Sequence, residues 1–149
     1  RNIKNMKIIS RLKDNIIKKR SEILGICLGM QLLFEKSYED GENVGLGLIK
    51  GEVKKLERYK DLSVPNMGWL KTKFTKNDKF LEGIDLNSFF YFVHSYACYA
   101  KDKKISLASL KYKNEFDVII RDDNIFGLQF HPEKSQEPGL KLLNNFING

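Results

Sequence analysis

A single cysteine between two glycines constrains the fold of this chain more than any other feature. Residues 25–29 read Gly-Ile-Cys-Leu-Gly, a short apolar run precedes them, and residues 30–34 continue with helical character. This order predicts a strand, a sharp turn and a helix, with Cys27 on the turn. Because such a turn crowds its own backbone, we expect a Cβ at either Gly25 or Gly29 to clash.

The predicted position of Cys27 favours a reactive thiol. A strand, a sharp turn and a helix form the nucleophile elbow of hydrolases, here with sulfur in place of the serine oxygen. At a helix N-terminus, unpaired N–H groups and the helix dipole stabilise a thiolate. We therefore expect Cys27 to be a nucleophile.

Length and cysteine content limit the class of protein. The 149 residues suffice for one domain with a sizeable core. No apolar run is long enough to span a bilayer and the first residues lack a signal-peptide layout, so we expect no membrane association. Cys27 and Cys98, the two cysteines, lie far apart in sequence, which argues against a disulfide framework and favours the reducing cytoplasm.

The distribution of charge argues against binding to nucleic acids. The net charge of +7 comes from 26 basic and 19 acidic residues, and much of it lies in scattered lysines typical of a solvated face. A nucleic-acid-binding surface would combine a basic stripe with aromatic residues or a known module, and neither is present. The excess of positive charge is better suited to binding an acidic protein partner.

The hydrophobic pattern predicts an α/β layered domain. Apolar residues at helical spacing predict an amphipathic helix over the first twenty residues, and another helix closes the chain with Pro138 near its start. Between them, strands are predicted at residues 45–49, 52–56, 68–74, 89–99, 105–112, 116–121 and 125–130. Only one helix precedes the strand before Cys27, which would expose a long sheet edge. We therefore expect a single domain over residues 1–149 that lacks its opening strands.

A cysteine nucleophile needs a base, and the base needs a group that orients it. The chain has two histidines, His94 and His131. His131 follows an apolar strand, Pro132 fixes the backbone after it, and Glu133 supplies a carboxylate two residues on. A lone histidine at a strand end is more often structural, but together with the cysteine motif this set indicates catalysis. His94, on an apolar strand, is predicted to be a core histidine with satisfied hydrogen bonds, and Cys98 a small buried residue.

Two motifs carry a family resemblance. Residues 25–31 (Gly-Ile-Cys-Leu-Gly-Met-Gln) and residues 127–133 (Gly-Leu-Gln-Phe-His-Pro-Glu) resemble those of the class I (triad) glutamine amidotransferases. Residues 64–69, 92–96 and 134–136 narrow the resemblance to the glutaminase subunits of imidazole glycerol phosphate synthases, which serve histidine biosynthesis. The resemblance covers nearly the whole chain and implies a flavodoxin-like fold with a central mixed sheet.

The resemblance implies a role for each matching residue. Cys27 would attack the side-chain amide of L-glutamine and form a thioester, His131 would move protons, and Glu133 would hold the imidazole. The N–H of Leu28 would form half of an oxyanion hole. The positions implied to bind the substrate are Gln31, Glu39 (to its α-ammonium), and Ser95 and Tyr96 (to its α-carboxylate, through backbone).

The resemblance also implies a protein partner. Asn66, Gly68 and Trp69 would lie at the interface with a cyclase or synthase subunit, forming a heterodimer to which ammonia passes. It implies no cofactor and no metal ion.

The sequence departs from the family pattern in two places. Related subunits carry a Pro-Gly-x-Gly oxyanion turn before the first helix, and this sequence contains none. At the partner loop, Asn66 replaces a usual histidine and Leu70 a usual asparagine, which we expect to remove polar groups from the partner face. Three alternatives stay open: a paralogous subunit feeding an amidino-sugar synthase, a Cys-His peptidase or γ-glutamyl hydrolase, and an inactive interaction module.

Overall fold

The computed structural model of the chain describes residues 6–60 and 62–149. Within them lie three α-helices, α1 (Met6–Ile17), α2 (Leu28–Leu33) and α3 (Gln136–Asn148). The strands are β1 (Ile23–Ile26), β2 (Phe34–Ser37), β3 (Asn43–Val44), β4 (Ile49–Lys55), β5 (Asn66–Lys71), β6 (Lys73–Phe74), β7 (Phe89–His94), β8 (Tyr96–Ala100), β9 (Ser106–Lys111), β10 (Glu115–Asp122) and β11 (Ile125–Leu128). None of these helices is both long and apolar enough to cross a membrane.

Nine strands form one curled mixed sheet, which confirms the predicted fold class. Its main path runs β1-β11-β10-β8-β4-β2-β3, and β9 pairs with both β10 and β6. The pairs β1·β11 and β2·β4 are parallel, whereas the other pairs are antiparallel. Strands β5 and β7 form a separate antiparallel pair, called the ribbon below. In the described part of the chain β1 lies at one edge of the sheet, and the expected lack of opening strands stays a prediction.

Aromatic packing ties the ribbon to the main sheet. Phe90 of β7 stacks on Phe130, which follows β11, with ring centroids 4.2 Å apart. Phe92 meets the same Phe130 ring edge-on at 5.6 Å. All three side chains are fully buried. The ribbon is therefore fixed against the end of β11, directly before His131.

The predicted strand at residues 89–99 is two strands in two different sheets. The chain leaves the ribbon after His94, bends at Ser95, and enters the main sheet as β8. The predicted strand at residues 68–74 divides in the same way at Thr72, between β5 and β6. No glycine or proline marks either break, because the breaks arise from pairing with distant strands.

Other elements differ from the predictions only locally. The structure has the first helix over residues 6–17, while the predicted residues 1–5 lie outside the described part. The predicted strand at residues 45–49 is mostly a loop, held by hydrogen bonds from the N–H groups of residues 45–48 to carbonyls of residues 32–35. Helix α3 closes the chain as predicted.

Candidate active site

Cys27 lies on a strained turn between β1 and α2. Its φ of 51° and ψ of −109° place a non-glycine residue at positive φ, which is uncommon and clusters at functional sites. Its N–H donates to the Leu128 carbonyl at 2.7 Å, and its carbonyl accepts from the Gln31 N–H at 3.2 Å. These bonds fix the turn to β11 on one side and to α2 on the other.

The glycines around Cys27 are not equivalent. A Cβ on Gly25 would lie 2.7 Å from backbone atoms of Gly29 and Met30, so this position needs glycine. A Cβ on Gly29 would meet nothing within 4 Å, so the clash predicted there is wrong. The crowding is one-sided, because the helix backbone folds over Gly25 while the outer side of Gly29 stays open.

His131 reaches the same edge of the sheet as Cys27. Strands β1 and β11 are parallel and in register, with Ile26 opposite Leu128, so the residues after both strands leave at one edge. The His131 Nδ1 donates to Glu133 Oε1 at 2.8 Å. That bond leaves Nε2 as the ring nitrogen able to exchange a proton with a nucleophile.

Glu133 is adapted to stay ionised. Burial raises the pKa of this carboxyl, but hydrogen bonds from its own backbone N–H and from His131, together with the charges of His131 and Lys134, outweigh burial and leave the pKa below its usual value. An ionised Glu133 stabilises the imidazolium that forms when His131 accepts a proton.

Ser135 joins the catalytic loop to the ribbon, a role that the sequence did not reveal. Its hydroxyl donates to the His131 carbonyl at 2.6 Å and accepts from the Tyr91 N–H at 3.0 Å. The His131 N–H in turn donates to the Tyr91 carbonyl at 2.9 Å. The position of Ser135 directly after the Glu133-Lys134 pair is the one sequence signal that could have indicated this role.

The environment of Cys27 does not favour the thiolate in the substrate-free site, contrary to expectation. Burial raises the pKa of the thiol, the N–H of Leu28 lowers it, and the charges of Glu133 and Glu39 raise it again. Helix α2 has only six residues and supplies few aligned dipoles. No hydrogen bond joins the Cys27 Sγ to His131 in the part of the chain that the structure describes.

Gln31 projects from α2 into a buried polar cluster. Its Nε2 donates to the Tyr96 carbonyl at 3.0 Å and to Gln129 Oε1 at 3.3 Å. Gln129 is fully buried and also accepts from Cys98 Sγ at 3.6 Å. Cys98 is a buried thiol, as predicted, and burial raises its pKa well above the ordinary value. The sequence did not indicate the role of Gln129.

The other expected substrate residues lie in a loop and at a strand bend. Glu39 is exposed in the loop after β2, where its N–H donates to Ser37 Oγ at 3.4 Å and its carbonyl accepts from Asn43 Nδ2 at 2.6 Å. Its charge acts on the Cys27 thiol. The Ser95 carbonyl accepts from the Leu56 N–H at 2.8 Å, so the bend between β7 and β8 is anchored to the chain after β4.

The structure corrects the placement of Asn66 and Leu70. Asn66 is only 2% exposed and its amide contacts the His94 ring, so its side chain does not reach the outer surface. Leu70 is partly buried against the main core cluster, not on the outer face of the ribbon. Trp69 is 43% exposed, and Gly68 has a φ of 134°, in the region that favours glycine.

His94 is a buried histidine with both ring nitrogens hydrogen-bonded, as predicted. The pKa of His94 is lowered to about 4: burial has the largest effect, the hydrogen bond to the Tyr96 carbonyl raises the pKa, and the charge of His131 lowers it. Among the described residues, no group of three or more His, Cys, Asp or Glu side chains is arranged to hold a metal ion.

Sequence comparison shows which proteins this chain is similar to. A family model described as glutamine amidotransferase class-I matches residues 3–148. The imidazole glycerol phosphate synthase subunit HisH 1 of Campylobacter jejuni (strain RM1221) is 47% identical over 147 residues, covering 99% of this chain and 73% of that protein. The corresponding HisH subunit of Aquifex aeolicus (strain VF5) is 45% identical over 146 residues, covering 98% of this chain and 69% of that protein.

Solved structures share the fold at lower identity. A crystal structure of a glutamine amidotransferase has a TM-score of 0.66 at 17% identity, covering 94% of this chain and 68% of that one. A glutamine amidotransferase from Thermotoga maritima has a TM-score of 0.56 at 16% identity, covering 94% and 61%. These likenesses show the α/β fold alone. The family match and the identity to the HisH subunits show more: this chain belongs to the class I glutamine amidotransferases.

Proposed function

We propose that this chain is the glutaminase subunit of an imidazole glycerol phosphate synthase, and that it hydrolyses L-glutamine and passes ammonia to a separate synthase subunit in histidine biosynthesis. One observation supports the proposed chemistry. Strands β1 and β11 are parallel neighbours, and at the same edge of the sheet they are followed by the strained Cys27 and by the hydrogen-bonded His131–Glu133 pair. The HisH relatives support the biosynthetic part.

The proposed reaction begins with thioester formation. His131 Nε2 takes the thiol proton as Cys27 Sγ attacks the side-chain amide carbon of glutamine. The C–N bond then breaks, and the departing nitrogen takes the proton from His131 and leaves as ammonia. Water, deprotonated by His131, cleaves the thioester to glutamate and restores the thiol.

The Leu28 N–H is the donor in place for the negative oxygen that forms during both steps. It follows Cys27 directly and begins α2, where backbone N–H groups have no partner within the helix. It already acts on the Cys27 sulfur. One such donor is worth about 3 kcal/mol of transition-state stabilisation.

Hydrogen-bond accounting supports the proposed contacts to glutamine. Both N–H groups of the Gln31 amide are used, on Tyr96 and Gln129, which leaves Gln31 Oε1 to accept from the substrate. The α-carboxylate of glutamine can only accept hydrogen bonds, so the proposed donors at the bend between β7 and β8 are backbone N–H groups. The carbonyls of Ser95 and Tyr96 accept from groups of the protein. Glu39 supplies a carboxylate for the α-ammonium.

The outer face of the ribbon is the proposed docking surface for the synthase subunit. Cross-strand register pairs Met67 with Val93, Trp69 with Tyr91 and Lys71 with Phe89. Met67 is 63% exposed and Phe89 52% exposed, so an apolar row faces outward along the whole ribbon. Exposed apolar rows of this kind are typical of protein interfaces.

This surface is one backbone hydrogen bond away from the proposed base. The Tyr91 carbonyl accepts from the His131 N–H, and the Lys134 ammonium lies 5.8 Å from the Tyr91 ring centroid. A partner docked on the ribbon would therefore contact residues that hold the catalytic loop. The free thiols of Cys27 and Cys98 fit a reducing compartment such as the cytoplasm.

The decisive test replaces the nucleophile. In the complex with its synthase subunit, Cys27→Ser should abolish glutamine-dependent turnover but spare turnover supplied with ammonium salts, because only ammonia production needs the thiol. The matched control is Cys98→Ser, which changes a thiol outside the proposed reaction and should keep glutamine-dependent turnover. Equal loss of both activities in Cys27→Ser would contradict the assignment, as would a preference for γ-glutamyl peptides over glutamine in the unmodified protein.

A further inference from the structure

A hydrogen-bonded chain connects the ribbon to the proposed glutamine site. The Asn66 amide nitrogen lies 2.9 Å from His94 Nε2, and His94 Nδ1 lies 2.7 Å from the Tyr96 carbonyl oxygen. The same carbonyl accepts from Gln31 Nε2 at 3.0 Å. Asn66, His94 and Gln31 are each less than 8% exposed, so water competes little for these bonds.

The chemistry of the partners fixes the proton on His94. A carbonyl oxygen can only accept, so Nδ1 must carry a hydrogen to bond Tyr96. Burial keeps the ring neutral at physiological pH, since it lowers the pKa of His94 to about 4. A neutral ring protonated on Nδ1 has an Nε2 that can only accept, and the Asn66 amide nitrogen is the donor facing it.

We propose that Asn66 is a positioning residue for glutamine binding: it holds His94 in the tautomer protonated on Nδ1, and this tautomer fixes the Tyr96 carbonyl that orients Gln31. The inference rests on the proposed function, because it gives a role to the substrate contacts assigned there. Without the Asn66 donor, Nε2 would be a buried acceptor without a partner, and the ring could exchange to the Nε2-protonated tautomer. The Tyr96 carbonyl would then lose one of the two donors that hold it.

The position of Asn66 on β5 links this role to the docking surface proposed above. Asn66 begins β5, and Met67 and Trp69 of the same strand point to the outer face. A displacement of β5 by a docked partner therefore acts directly on the donor that faces His94.

The tautomer can be measured without any substitution. The chain has only two histidines, so nitrogen-15 NMR of the unmodified protein at neutral pH resolves His94 from His131. We expect His94 to show a protonated Nδ1 and an unprotonated, hydrogen-bonded Nε2. A His94 protonated on Nε2, or on both nitrogens, would overturn the proposal.

Kinetics of the active complex test the positioning role. Asn66→Leu removes the donor at similar volume, and we expect KM for glutamine to rise about fivefold with kcat changed less than about twofold, because one hydrogen bond that positions a substrate contact is lost. Thr72→Val is the matched control: it also replaces a buried polar side chain next to β5, but one without a hydrogen-bond partner in the described structure, so KM should not change.

The outcomes separate the two proposals. An unmodified complex that hydrolyses no glutamine would overturn the proposed function, whereas the tautomer would still be measurable. An active complex in which Asn66→Leu leaves KM unchanged, or lowers kcat as much as it raises KM, would overturn only the role of Asn66. If Asn66→Leu fails to fold, the smaller change Asn66→Ser, which shortens the donor's reach, should raise KM in the same direction.

Discussion

Around Cys27, burial has the largest effect on the pKa of the thiol, and the N–H of Leu28, the first residue of α2, opposes it. Burial and the carboxylates of Glu133 and Glu39 disfavour a negative sulfur, and a single backbone N–H opposes them. In the proposed reaction the α-ammonium of glutamine pairs with Glu39 and offsets one of these charges. Bound substrate would thus lower the pKa of its own nucleophile, which keeps the thiol less reactive while the site is empty.

A substitution of Glu39 tests its effect on the pKa of Cys27. Because a nearby negative charge raises the pKa of a thiol, Glu39→Gln should lower the pKa of Cys27 and speed its alkylation by iodoacetamide at a fixed pH below that pKa. The pH profile of the alkylation rate measures this shift. Glu42→Gln, in the same loop but paired with Lys36, should leave the profile unchanged. An equal shift in both variants would contradict a specific effect of Glu39.

At the scale of elements, the joint between β5 and β6 moves the chain from the ribbon to the main sheet. Side chains alternate along this segment: Leu70, Thr72 and Phe74 face inward, and Trp69 and Lys71 face outward. The transfer between sheets buries the Thr72 hydroxyl where no described residue accepts its hydrogen bond. Nearby, Thr75 Oγ1 donates to the Ser106 carbonyl at 2.7 Å.

These two threonines predict opposite effects of one substitution. Thr72→Val removes a buried hydroxyl without a described partner and should raise the free energy of unfolding by about 1 kcal/mol. Thr75→Val removes a hydroxyl that is hydrogen-bonded, on a residue at the surface, and should lower the free energy of unfolding by about 0.5 kcal/mol. Urea unfolding at equilibrium measures both. A loss of stability in Thr72→Val would show that its hydroxyl is bonded in solution.

At the scale of the whole molecule, the ribbon stands between the proposed partner and the catalytic loop. Its inner face packs on Phe130 through Phe90 and Phe92, and its outer face is an exposed apolar row. Buried aromatic side chains commonly dominate the binding energy of interfaces. Trp69 is the largest side chain of this row and contacts Tyr91 edge-on, with ring centroids 5.8 Å apart.

Trp69→Ala should therefore weaken binding of the synthase subunit by at least about tenfold without unfolding the chain, because truncating such an aromatic anchor typically costs about 2 kcal/mol. Calorimetric titration with the purified synthase subunit measures the Kd. Val44→Ala is the control, since Val44 is 88% exposed but lies on β3, outside the ribbon. Equal losses at both positions, or none at Trp69, would contradict the proposed surface.

The sequence by itself determined the local chemistry and the fold class. The Gly-Ile-Cys-Leu-Gly pattern predicted the turn at Cys27, and the motif around His131 predicted a base followed by a carboxylate; the structure has this turn and the His131–Glu133 hydrogen bond. Both depend on residues within a few positions of one another. Periodicity likewise predicted the closing helix and most strands of the mixed sheet.

Tertiary structure alone decided what distant segments do to one another. The divisions of the strands at Ser95 and Thr72, the burial of Asn66, and the raised pKa of Cys27 all depend on partners far away in sequence. Turn residues mark breaks that the local backbone requires, whereas pairing with a distant strand leaves no local mark. The cysteine motif fixes where the thiol lies, but its packed neighbours set the pKa of the thiol, because burial and electrostatics depend on the assembled fold. The link from the thiol through the ribbon to the proposed partner surface is likewise decided by the assembled fold.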